Sequence, residues 1–119
     1  MFSQFFPYDE QTWNIQEEKG FTSRILAYTP EVLMMEWLFI NEGFVVPMHE
    51  HYHTQITHIR TGSAKVVMAD GTEKILKAGD AVAFAPNEGH SVTMLEANTT
   101  IIDVFSPVRL DHLANHKPL

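Results

Sequence analysis

From Phe21 to Phe105 the chain is cut into short apolar segments, each closed by turn-forming residues before it reaches the length of a typical helix. The segments fall at 21–28, 32–40, 44–46, 55–61, 64–69, 72–76, 81–84, 91–96 and 100–105. Asp70-Gly71 separates two of them and Asn41-Glu42-Gly43 two more, while Thr61-Gly62 and Ala78-Gly79-Asp80 end others. This rhythm is that of an all-β antiparallel barrel or sandwich, and the punctuation predicts hairpins and a mostly local strand order. Only 110–115 reads as a short helical turn, started by Asp111. Residues 1–20 carry Phe2, Phe5, Phe6 and Trp13 without a clean period, which predicts an ordered arm packing on the barrel or on a partner. Residues 21–119 then form one domain.

A chain of 119 residues, 45% of them hydrophobic, supports one compact core and therefore one principal site. The absence of cysteine excludes disulfides, a thiol nucleophile and a thiolate metal site, so any metal must be held by nitrogen and oxygen donors. Lys and Arg number 8 against a net charge of -7 and never cluster, which argues against a nucleic-acid partner. An anionic small ligand would need a local cation, either a metal or one of Arg24, Arg60 and Arg109. No apolar run approaches the roughly 20 residues that cross a bilayer, and 1–8 lacks the pattern of a signal peptide. The expected location is cytoplasmic, with no membrane partner.

His49, His51 and His53 recur with period two and are followed by Gln55, so an extended strand would lean all four side chains toward one face. His90 supplies a further donor. Imidazole nitrogens with an amide oxygen suit one divalent ion such as Ni, Zn, Fe or Mn, with coordination positions left for water or substrate. Any one of these histidines, taken alone, fits a hydrogen-bonded strand residue equally well. His58 falls out of phase with Gln55 and is expected to face outward, and His112 and His116 sit in the polar tail, so these three read as non-ligands.

The spacing Gly43-(five)-His49-x-His51-(three)-Gln55-(six)-Gly62, followed by Gly79-Asp80-(five)-Pro86-(three)-His90, resembles the two motifs of the cupin family. The resemblance implies a single jelly-roll barrel, a double-stranded β-helix, in which His49, His51, Gln55 and His90 bind the metal. It leaves His53 to orient a ligand from behind rather than replace Gln55. Gln55 stands where the family usually has Glu, and Met94 where it often has Asn. A neutral amide leaves the ion one unit more positive than a carboxylate would, which favours Lewis-acid or substrate-anchoring work over oxygen activation.

In 100–105, alternation puts Ile101, Asp103 and Phe105 on one face, so Asp103 sits among apolar neighbours. A carboxylate there must be hydrogen-bonded, paired with Arg109, used to cap the following turn, or employed in proton transfer. The ending Asp103-Val104-Phe105-Ser106-Pro107-Val108-Arg109 and the segment Val46-Pro47-Met48-His49-Glu50-His51-Tyr52-His53-Thr54-Gln55 resemble the KdgF pectin-degradation family among cupins. That likeness implies a ketonisation (isomerase) activity converting 4,5-unsaturated monouronates from pectin or alginate into linear keto sugar acids. In that reading Asp103 and Arg109 are catalytic, and Phe105 and Arg109 contact the sugar acid. The other readings are a non-catalytic cupin that binds a small sugar or metabolite, or another metal-dependent cupin isomerase, lyase or dioxygenase. An exposed edge strand and the aromatic arm lead us to expect a homodimer.

Overall fold

The computed structural model describes residues 4–11, 13–16 and 19–115; Phe2 and His116 lie outside the described residues. A short 3-10 turn, Tyr8–Glu10, precedes the strands β1 (Trp13–Gln16), β2 (Phe21–Thr29), β3 (Val32–Phe39), β4 (Val45–His49), β5 (Thr54–Thr61), β6 (Ser63–Met68), β7 (Glu73–Lys77), β8 (Ala81–Phe84), β9 (His90–Met94) and β10 (Thr99–Ser106), and the helix α1 (Leu110–Asn115) follows. These strands form two antiparallel sheets, one ordered β1-β2-β3-β10-β5-β8 and the other β4-β9-β6-β7. The barrel expected from the segmentation is therefore present.

The strand order is not the local one that the punctuation suggested. β2–β3 and β6–β7 are hairpins, the second closed at Asp70-Gly71, but β10 lies between β3 and β5, and β9 lies between β4 and β6. Asn41-Glu42-Gly43 and Thr61-Gly62 carry the chain across to the opposite sheet instead of reversing it within one. A turn residue marks where a strand must stop, whereas its partner is chosen by closing both inward faces over one core. Gly62 has φ +82, and a Cβ there would lie 2.9 Å from the Thr99 Cα, so the crossover needs glycine.

Period-two burial builds the interior. Along β10, Ile101, Asp103 and Phe105 face inward, and along β5, Gln55, Thr57 and Ile59 do so. One apolar cluster gathers Phe39, Ile59, Phe84, Val92, Met94 and Ile101; a second gathers Leu33, Met35, Phe105 and Val108. Asp103 falls between Ile101 of the first and Phe105 of the second, which sets a carboxylate inside the barrel. Outward on the six-stranded sheet, the cross-strand pair Arg24 and Glu36 is buried, with Arg24 Nη2 2.6 Å from Glu36 Oε1 and Arg60 on the other oxygen. Tyr8 and Trp13 lay their rings on the Arg24 guanidinium at 4.6 and 4.5 Å, and Phe6 meets Tyr28 edge-on. Among the described residues no helix is long and apolar enough to cross a membrane.

Candidate metal centre and active site

His49 ends β4 and His90 begins β9, and the two face each other across the ladder with ring centroids 4.5 Å apart. His51 lies in the link between β4 and β5, 5.6 Å by ring centroid from each of them. Gln55 projects inward from β5, in the other sheet. The expectation that His49, His51, His53 and Gln55 share one extended strand fails, because the strand stops at His49 and resumes only at Thr54. The chain has to pass between sheets there, and the passage itself delivers His51 to the cluster.

Backbone carbonyls fix the tautomers. His49 Nδ1 donates to Pro47 O at 2.8 Å, His51 Nδ1 to His53 O at 3.1 Å and His90 Nδ1 to Glu88 O at 2.9 Å. A carbonyl only accepts, so in each neutral ring Nε2 is left with its lone pair. Ligand atoms of the three side chains lie within 4.8 Å of one another, close enough to hold one ion. His90 is fully buried, its Nε2 has no hydrogen-bond partner, and burial lowers its pKa toward the neutral form that a metal requires. Phe84 stacks on the His90 ring at 3.8 Å and 9°, which holds its direction.

Gln55 completes the fit. Its Oε1 lies 2.8 Å from His51 Nε2, so with the ring neutral two acceptors face each other, an arrangement that a cation between them would satisfy. Reversing the amide would not relieve this, since Gln55 Nε2 already donates to Thr57 Oγ1 at 2.9 Å and to Asp103 Oδ1 at 3.2 Å. The donor set, three imidazoles and an amide oxygen, suits a borderline divalent ion. His53 contributes its carbonyl to His51, while its own ring stacks on Tyr52 at 4.0 Å and stands outside the three-histidine group.

Asp103 is 9% exposed, and Thr57 Oγ1 donates to its Oδ1 at 2.6 Å. Burial pushes its pKa up to about 6, against the Thr57 and Gln55 hydrogen bonds and the Arg109 and His49 charges, which lower it. Asp103 is not paired with Arg109. Arg109 instead donates through Nε and Nη2 to Asp111, at 3.2 and 2.7 Å, with its guanidinium 5.1 Å from the Phe105 ring centroid. Arg24 and Arg60 are both committed to Glu36, leaving Arg109 as the arginine that meets the interior. His49, Gln55, His90, Asp103, Phe105 and Arg109 all line one cavity of about 440 Å³.

Residues 36–105 match the family model of the cupin domain. The pectin degradation protein KdgF of Dickeya dadantii (strain 3937) is 36% identical over 110 residues, which span 92% of this chain and 97% of that protein. The chain is a cupin of the KdgF family. KdgF from Halomonas sp. superposes on it with a TM-score of 0.83 at 33% identity, covering 92% of this chain and all of that one. An RmlC-like cupin from Shewanella frigidimarina NCIMB 400 gives a TM-score of 0.81 at 26% identity, over 92% and 96% of the two chains.

Two residues of this KdgF-family cupin escaped the sequence reading. His112, expected in a polar tail, lines the cavity, its ring 5.3 Å from Trp37 and 5.5 Å from Phe105. Its position three residues after Arg109, on the one predicted helical turn, was the available signal, since i and i+3 share a helix face. Thr57 was passed over because threonine in a strand is ordinary. Its phase with Gln55 was visible, but its place opposite Asp103 depends on the β5–β10 register.

Proposed function

We propose that this cupin converts 4,5-unsaturated monouronates, from pectin or alginate breakdown, into linear keto sugar acids, with His49, His51, Gln55 and His90 holding one divalent metal. The observation that carries this reading is one cavity lined by His49, His90 and Gln55, a buried carboxylate and a single inward-facing arginine, with His51 clustered on the two histidines. The kinship with a pectin degradation protein supports the same substrate class. An unsaturated uronate offers sugar oxygens, an enol ether and a carboxylate, one feature for each of those groups.

When bound, the ion supplies Lewis acidity toward sugar oxygens. Arg109 binds the substrate carboxylate; its Nε and Nη2 are held by Asp111, and Nη1 carries neither of those bonds. Asp103 keeps Oδ1 on Thr57 and Gln55 and uses Oδ2 as its proton carrier. It takes the proton of the anomeric hydroxyl as the bond between C1 and the ring oxygen breaks. The bond pair leaves on the ring oxygen as a C5 enolate, and Asp103 returns the proton to C4 as the enolate becomes a ketone. The balance is an isomerisation, with no redox partner. Phe105 provides an apolar wall beside the reacting ring and a support for Arg109.

A binding protein without turnover would tolerate loss of Asp103, so Asp103→Asn separates the two readings. A variant that keeps its metal but loses turnover supports the enzyme; unchanged turnover rules out the proton-carrier role. We also propose that the chain works as a homodimer, joined through the outer face of the six-stranded sheet. Met34, Val104 and Ile56 are register neighbours there, and Met34 and Ile56 are 36% and 46% exposed.

A further inference from the structure

Asp103 receives hydrogen bonds from two side chains, and both stand on β5. Thr57 lies directly opposite Asp103 in the register, Gln55 lies opposite Phe105, and all three polar side chains are buried. Together they close a triangle. Gln55 Nε2 donates to Thr57 Oγ1 at 2.9 Å and to Asp103 Oδ1 at 3.2 Å, and Thr57 Oγ1 donates to Asp103 Oδ1 at 2.6 Å.

We propose that Thr57 is a positioning residue that locks the metal-side amide of Gln55 to the carboxylate of Asp103, and that Asp103, rather than the metal, dictates an amide at position 55. The proposal rests on the uronate-ketonising reading above. It follows from counting donors and acceptors. Both protons of the Gln55 amide point away from the histidines, so its oxygen must point toward them. Thr57 can accept from Gln55 only while donating to Asp103, so the three groups have one consistent arrangement. That arrangement ties up Oδ1 and leaves Oδ2 to work in the cavity. A glutamate at position 55 would set a second carboxylate about 3 Å from Asp103, where two charges of one sign repel strongly.

Thr57→Val keeps the shape of the side chain and removes both of its hydrogen bonds. With Asp103 held only by the longer bond from Gln55, kcat is expected to fall roughly 10- to 100-fold, the scale of a misdirected proton-transfer group. KM should stay within about threefold, because Arg109 and the histidines still bind the sugar acid. Affinity for Ni(II) or Co(II), measured by calorimetry, should also stay within about threefold, since the imidazoles keep their carbonyl partners. Thr57→Ser, which restores the hydroxyl, should recover most of kcat. Wild-type kcat in Thr57→Val, or a metal affinity that falls as far as kcat does, overturns the proposal.

A second measurement needs no turnover. Gln55→Glu should bind metal more tightly, and the gain should be about tenfold larger when Asp103→Asn is also present, because the opposing carboxylate has gone. Equal gains in the two backgrounds overturn the coupling. If the wild-type chain fails to act on unsaturated uronates, the functional reading falls, and this titration still decides whether Gln55 and Asp103 are coupled.

Discussion

At the scale of single residues, Asp103→Asn is the substitution that removes proton transfer while sparing size and hydrogen-bond reach. It should lower kcat by roughly 10²- to 10⁴-fold, as expected for a lost general acid-base group, with metal content unchanged by elemental analysis. Arg109→Ala should act mainly on KM, raising it roughly 10- to 100-fold, because a charged hydrogen bond contributes about 1.5–3 kcal/mol. A fall in kcat at constant KM would contradict its carboxylate-binding role. Asp111 holds Arg109 from the exposed side. Burial would raise its pKa, but the Arg109 hydrogen bonds and the His112 and Arg109 charges outweigh this and hold it at about 2, below the usual carboxylate range. A carboxylate depressed on folding stabilises the fold above its unfolded pKa and loses that contribution as pH falls toward the folded one. The advantage of the native chain over Asp111→Asn in thermal unfolding should therefore be present near neutrality and fade between about pH 4 and pH 2. It should be small, since the pair is partly solvated. An advantage that grows on acidification would refute this account of Asp111.

At the scale of elements, β5 and β10 carry Gln55, Thr57 and Asp103 on facing strands, and Phe84 on β8 backs His90 by stacking on its ring. Phe84→Ala should cost about 3–5 kcal/mol of stability, the usual penalty for emptying a core aromatic site, and should weaken metal binding by freeing the His90 ring. Unaltered metal affinity in a folded variant would show that the stacking does not orient the ligand. Much at this scale was legible in the chain. Segment 81–84 and the turn at 110–115 coincide with β8 and α1, and the inward phase of Ile101, Asp103 and Phe105 followed from alternation alone. Partner choice was not legible. Gly62 announces a stop, but nothing beside it in sequence says that β10, some forty residues on, will lie next to β5. For the same reason the period-two reading put His49, His51, His53 and Gln55 on one strand, whereas the structure gathers His49 and His51 with His90 across a passage between sheets. Thr57 and His112 acquire their meaning only from such long-range neighbours.

At the scale of the whole molecule, the acidic chain repels an anionic sugar acid at a distance, so the proposed substrate needs local attraction, for which Arg109 and the cation proposed at the histidines are the available charges. The same barrel leaves Ile56 and Met34 uncovered on either side of Val104 of β10, so a mass near twice 13.6 kDa is expected by light scattering at micromolar concentration. Ile56→Glu should halve it, and a monomeric native chain would remove this face as an interface. The central claim joins metal, carboxylate and arginine in one reaction. It is tested most directly by giving the purified protein an unsaturated monouronate freshly released by a lyase, and following the ultraviolet absorbance of its enol ether. Absorbance should decay well above the spontaneous rate, revert to that rate after chelation, and recover when Ni(II), Zn(II), Fe(II) or Mn(II) is returned. Decay no faster than in buffer, with metal bound at the histidines, would contradict the account.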